Sequence, residues 1–148
     1  MILIAHRGNF KGRNINAENT PEYIDLAIKN NFDVEIDVWV NENGLFLGHD
    51  SPETKIDLTF LIDRKSKLWC HAKNLEALEF LLSNGLHTFS HDKDDYIITS
   101  HGIIWANVGM KLSSKTICVM PERADYRNTE ISNCLGICSD DLTNYLIT

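Results

Sequence analysis

The sequence predicts an α/β fold built on a parallel sheet, and three observations carry that prediction. The first is the continuous apolar run Ile2-Leu3-Ile4-Ala5, the pattern of a strand covered on both faces. The second is a βαβ unit. An apolar stripe at helical spacing (Tyr23, Ile24, Ala27, Ile28) comes after that run and leads into a strand over 33 to 40. The third is the placing of polar residues at strand ends, where α/β folds keep their chemistry: His6-Arg7-Gly8-Asn9 after the first strand, and Glu35 and Asp37 within the next.

Bulk properties bound the reading. A chain of 148 residues with 43% hydrophobic content suits one globular domain over 1–148 with a core of its own. A net charge of −7 and no basic stripe argue against nucleic-acid binding, yet allow an anionic substrate held by a few local cations. No apolar run approaches a membrane span, and Met1 to Ala5 is too short for a secretory leader and lacks a basic flank. Cys70, Cys118, Cys134 and Cys138 form no CxxC pair and fit reduced core thiols in a cytoplasmic protein.

Along the chain, residues 9 to 19 read as a loop. Thr20 is the expected N-cap of a helix that Pro21 opens and Asn30-Asn31 ends. In the next strand, Val34, Ile36 and Val38 share one face and Glu35 and Asp37 the other. Two carboxylates aimed the same way into an enclosed space need a compensating charge, and a divalent cation supplies one. Asn43-Gly44 is a two-residue hairpin signal, and Leu45-Phe46-Leu47 returns to deliver His49-Asp50. Residues 51 to 56 read as loop and 57 to 64 as a short helix. A strand over 67 to 73 sets Trp69, His71 and Lys73 on one face, repeating the geometry of Glu35 and Asp37. A helix over 74 to 84 ends at Gly85.

The second half is less regular. Strands are expected over 86 to 90, 96 to 99, 103 to 106, 116 to 120 and 135 to 138, with a hairpin at Ser100-His101-Gly102. Asp140 reads as the cap of a last helix through Leu146. His87 and His101 read as satisfied turn or surface histidines, and Trp69 and Trp105 as core. His91, at the end of the 86 to 90 strand, could also reach the site.

In combination, His6-Arg7-Gly8, Glu18-Asn19-Thr20, Glu35-x-Asp37, the Asn43-Gly44 hairpin and His49-Asp50 resemble the glycerophosphodiester phosphodiesterase family, within the phospholipase C-like phosphodiesterase superfamily. The likeness is close over residues 2 to 50. It is moderate at Trp69 to Lys73, where the family carries Glu-x-Lys, and faint at Gly136 to Asp141. The resemblance implies a TIM-type (β/α) barrel. Full barrels take roughly 250 residues, so the expectation for this chain is a trimmed one, with outer helices reduced in the C-terminal half. An open flank could be covered by a second copy of the chain, and the missing insertion after His49 would leave the site wide.

The resemblance also implies roles. Glu35 and Asp37 would hold one divalent metal ion, His6 and His49 would form the acid/base pair, and Arg7 and Lys73 would hold the phosphate. The family's third metal ligand is a Glu, and His71 stands in its place. Either His71 ligates, which favours Mn or Zn over Mg or Ca, or Glu18 or a water completes the sphere. The implied activity is metal-dependent hydrolysis of a small or glycan-linked glycerophosphodiester of lipid metabolism. The alternatives are a non-catalytic phosphate-binding module and a phospholyase that releases a cyclic phosphate.

Overall fold

The structure is a computed structural model and describes residues 1–146. Among the described residues, ten strands form one curled mixed sheet, accompanied by four short helices. The strands are β1 (Ile2–His6), β2 (Asp33–Asn41), β3 (Gly44–Leu47), β4 (Thr54–Ile56), β5 (Leu68–Ala72), β6 (Thr88–Phe89), β7 (Tyr96–Ile98), β8 (Ile104–Ala106), β9 (Thr116–Val119) and β10 (Gly136–Ser139). The helices are α1 (Pro21–Lys29), α2 (Leu58–Asp63), α3 (Leu75–Ser83) and α4 (Asn128–Ser132).

A parallel run, β8-β9-β10-β1-β2-β5-β6, makes the curl. Strand β2 is the branch point. Its first half pairs with β1 and β5, and its far end turns antiparallel to β3, which pairs in turn with β4. Strand β7 closes on β8 as an antiparallel hairpin, the one expected around Ser100-His101-Gly102. Where the ends of the curl approach, Ser100 N–H donates to the Thr88 carbonyl at 2.8 Å and Thr88 N–H to the Ser100 hydroxyl oxygen at 2.9 Å.

This architecture corrects the expected trimmed TIM-type (β/α) barrel. The molecule is a half-barrel of mixed strands, not a ring of βα units with flanking helices. The cause is connection length. Beyond Gly85, strands β6 to β9 are linked by residues 90–95, 99–103 and 107–115, too few to run a helix back along the sheet. The two longest helices, α1 and α3, cover the outer face around β2, where Ile24, Ala27, Ala77 and Leu81 pack with Val34, Ile36 and Val38. Burying each such Val, Ile or Leu contributes about 1.5–3 kcal/mol. The inner face of the curl holds a second core of Ile4, Trp69, Phe89, Trp105, Ile117 and Cys138.

Local signals are met unevenly. Asp57 and Asn74 cap α2 and α3 by accepting N–H bonds from Phe60 and Ala77. Thr20 precedes α1 in extended geometry but does not cap it; its hydroxyl donates to the Ala17 carbonyl instead. The stretch read as loop before residue 57 contains β4. The expected last helix is only a one-turn 3-10 segment, Thr143–Tyr145, and Asp140 is not its cap. All four cysteines are buried and unpaired. Among the described residues, no helix is long and apolar enough to cross a membrane.

Candidate active site

Strand alternation sets the inner face, and the C-terminal ends of the parallel strands stack their polar residues into one layer above the inner core. Strand β1 supplies His6, β2 supplies Glu35 and Asp37, and β5 supplies His71, with Asp37 and His71 directly paired in register. Glu35 and Asp37 are buried, pointing inward and not at solvent. One ligand atom from each of Glu35, Asp37 and His71 lies within 4.8 Å of the others. His71 Nδ1 is 3.0 Å from Asp37 Oδ1 and 3.9 Å from Glu35 Oε1.

The two carboxylates live in different fields. Asp37 is buried, which alone would raise its pKa. The hydrogen bond with His71 and the charges of Arg7 and Lys73 outweigh burial and hold it well below the carboxylate range. Burial, reinforced by the Asp37 charge, pushes Glu35 well above that range. Among the described residues, Glu35 accepts a single side-chain hydrogen bond, from Arg7 N–H at 3.3 Å, and its Oε1 accepts none. A buried carboxyl with a free oxygen, beside an ionised neighbour and an imidazole, is a donor set that fits a divalent cation.

Asn19 holds this pair in place. Its Nδ2 donates to Asp37 Oδ2 and its Oδ1 accepts from Asp37 N–H, both at 3.0 Å, so the side-chain amide completes the edge of β2. To do so Asn19 adopts φ 55, and Arg7 beside it also adopts φ 55. Non-glycine residues in the left-handed region are costly, and both line the site.

His6 lies deep. Its Nδ1 is 2.7 Å from Asp140 Oδ1, and its Nε2 is 3.9 Å from Glu35 Oε2. Burial lowers its pKa despite Asp140, so the neutral ring is favoured. Burial raises and the His6 hydrogen bond lowers the Asp140 pKa, with a net shift down that keeps the carboxylate ionised. An ionised Asp140 takes the Nδ1 proton as its hydrogen-bond donor and leaves the Nε2 lone pair open.

His49 sits at the mouth. Its side chain is 43% exposed and its Nδ1 is 2.7 Å from Asp50 Oδ1. The turn that carries it is fixed by Trp39, whose indole N–H donates to the Gly48 carbonyl at 2.7 Å. His6, Glu35, His49 and His71 line one cavity of ≈ 230 Å³, whose opposite wall is Phe89, Trp105, Val108, Val119 and Met120. A smaller chamber of ≈ 110 Å³ adjoins it, sharing Arg7 and His49.

The remaining expected site residues take different places. Arg7 lines the cavity, but its Nη1 is 3.2 Å from Glu18 Oε2 and its buried Nε faces Asp37 Oδ2 at 3.0 Å outside hydrogen-bond geometry. Lys73 Nζ is 3.5 Å from Asp37 Oδ1 and is not part of the cavity wall. Glu18 turns away from the acidic pair and accepts from Arg7, Arg13 and Asn9. That leaves His71, not Glu18, beside Glu35 and Asp37. The His91 ring stacks on His71, centroids 4.6 Å apart, on the cavity wall. The residues that sequence reasoning missed are Asp140 and Arg123, with Asn9, which donates to Asp140 at 2.9 Å. Asp140 and Asn9 each had a signal, a place just after a buried strand, whereas Arg123 had none.

Comparison with protein-family models, with curated proteins and with solved structures returns no match for this chain.

Proposed function

We propose that the chain is a metal-dependent phosphodiesterase acting on substrates of the glycerophosphodiester type. The observation that carries this reading is the aim of His6: a neutral imidazole, oriented by Asp140, presents Nε2 to a cavity, 3.9 Å from the buried carboxyl group of Glu35. Glu35, Asp37 and His71 would hold the cation, and when bound it would polarise a non-bridging phosphoryl oxygen. The mixed oxygen and nitrogen donors favour Mn²⁺ or Zn²⁺.

The chain's own residues account for the proton movements. His6 Nε2 accepts the proton of the attacking hydroxyl as its oxygen bonds to phosphorus. His49, when protonated, gives a proton to the departing alkoxide as the second P–O bond breaks. The hydroxyl can be the neighbouring one on glycerol, giving a cyclic phosphate that water later opens.

Hydrolysis of an aryl phosphodiester with Mg²⁺, Mn²⁺, Ca²⁺ or Zn²⁺ added in turn tests this. Turnover that His6→Ala and His49→Ala each abolish is the expected result. Binding of glycerol phosphate with no turnover under any metal would leave a phosphate-binding module instead. Phosphorus NMR of the product from a glycerophosphodiester, which carries the neighbouring hydroxyl an aryl diester lacks, separates a cyclic phosphate from the open monoester.

A further inference from the structure

We propose that Arg123 is the anion clamp of this site, the guanidinium that grips the non-bridging oxygens of the bound phosphodiester. The proposal rests on the phosphodiesterase reading and names a substrate-binding residue within it. The need for one comes from the two cations the sequence assigns to the phosphate. Lys73 faces Asp37 and stands off the cavity wall. Arg7 spends Nη1 on Glu18 and turns Nε toward Asp37. Both are counter-charges to the acidic layer first, and neither offers a free fork of donors.

Arg123 does. It lines the ≈ 230 Å³ cavity, with its side chain 52% exposed. Among the described residues the only partner of its guanidinium is Asp140, Nη2 to Oδ2 at 3.0 Å, so Nε, Nη1 and the second Nη2 proton are uncommitted and one parallel pair of donors remains. The tether is informative because Asp140 uses its other oxygen, Oδ1, on His6. One carboxylate thus holds the guanidinium beside the imidazole, and an anion that reaches His6 Nε2 comes within reach of Arg123.

The backbone makes the placement rigid. Met120 takes φ 46, its N–H bonded to the Cys138 carbonyl at 2.8 Å, and Pro121 opens a one-turn 3-10 segment that ends at Arg123. A left-handed methionine on a cavity wall is strain held by its surroundings. A planar guanidinium with parallel N–H donors matches the geometry of phosphoryl oxygens, which an ammonium cannot do. In a chain of net charge −7, such a group also supplies the local attraction an anionic substrate needs.

Titration calorimetry with inorganic phosphate, together with KM and kcat for bis(p-nitrophenyl) phosphate, tests the clamp in the wild type, Arg123→Gln and Arg123→Lys. The Gln variant is expected to weaken phosphate binding and raise KM by roughly tenfold or more, and the Lys variant to recover part of the loss. Unchanged phosphate affinity in Arg123→Gln overturns the proposal. So does a shifted pH–rate profile with phosphate affinity and KM intact, since that would mean Arg123 acts only through Asp140. Phosphate binding that depends on Arg123, in a protein that hydrolyses nothing under any metal, would sink the phosphodiesterase reading and leave the clamp standing.

Discussion

Asp140 holds His6 by its Nδ1 at 2.7 Å across 134 residues of sequence, and this contact decides which ring nitrogen faces the cavity. Asp140→Asn keeps the shape but can present an N–H to Nδ1, reversing the tautomer and turning the Nε2 proton into the cavity. General-base action contributes roughly 10²–10⁴-fold. A fall in kcat toward the lower end of that range, with KM changed little, is the expected outcome in steady-state assays. Activity equal to wild type would remove His6 from the role of base.

The unbalanced charge at Glu35 predicts a stability effect that can be read without any substrate. With the metal chelated, Glu35→Gln replaces a buried carboxyl group whose ionisation burial and the Asp37 charge oppose. The variant should be more stable by about 1 kcal/mol, roughly 2–4 °C in Tm. The sign with pH comes from the raised pKa. The folded protein keeps the Glu35 proton above the ordinary carboxyl range, so metal-free stability falls as pH rises from about 4.3 toward the folded value. The variant should lack that fall. Mn²⁺ should raise the Tm of the wild type by mass action and leave Glu35→Gln almost unmoved. Scanning calorimetry with and without EDTA checks both statements.

Acid should loosen the seam where the curl closes. Burial first, and then the His101 ring stacked 4.1 Å away, lower the His87 pKa to about 4. The unfolded chain takes up that proton near the ordinary value of about 6.5. Between those limits the unfolded state binds more protons, so the His87 contribution is lost as pH falls from about 6.5 to about 4 and is level below that. His87→Gln should flatten the Tm profile over that window. A profile of unchanged slope would mean that other groups set the acid limit.

Gly48 fixes the turn that presents His49. Its φ is 151, and a Cβ there would collide with the Ser51 carbonyl oxygen. Gly48→Ala therefore cannot keep both that turn and the Trp39 bond to the Gly48 carbonyl. The expected result is a kcat close to that of His49→Ala in a protein whose circular dichroism and core Tm remain near wild type. Since the clash is with the Ser51 carbonyl oxygen, within the turn that follows β3, the loss should fall first on His49.

How much of the molecule is legible in its sequence depends on how far each signal reaches along the chain. Alternation over 33 to 38 is enough to set Glu35 and Asp37 on one face and Val34, Ile36 and Val38 on the other, because strand geometry is set residue by residue, but it leaves open which face looks inward. Capping by Asp57 and Asn74 is legible for the same reason, since a cap and its N–H are three residues apart. Thr20 breaks the capping rule because its hydroxyl has a competing local acceptor in Ala17. Connection lengths after Gly85 hint that helices are lost, and the Asn43-Gly44 and Ser100-His101-Gly102 turns mark the antiparallel pairing of β3 and β7; what no local signal shows is that β4 joins β3 and that the sheet stops at a half-barrel.

The sequence by itself determined the strands near the first half of the site, the common face of the carboxylate pair and the histidines offered to it. Only the tertiary structure decided that the carboxylate pair faces inward, that Asp140 orients His6, that Arg7 and Lys73 lie against Asp37, and that Arg123 is tethered to Asp140 on the cavity wall. The reason is physical: a period of two or 3.6 residues leaves its mark in neighbouring letters. A contact between β1 and the end of β10 arises only when the sheet curls, and distant charges acquire partners only once that curl has formed.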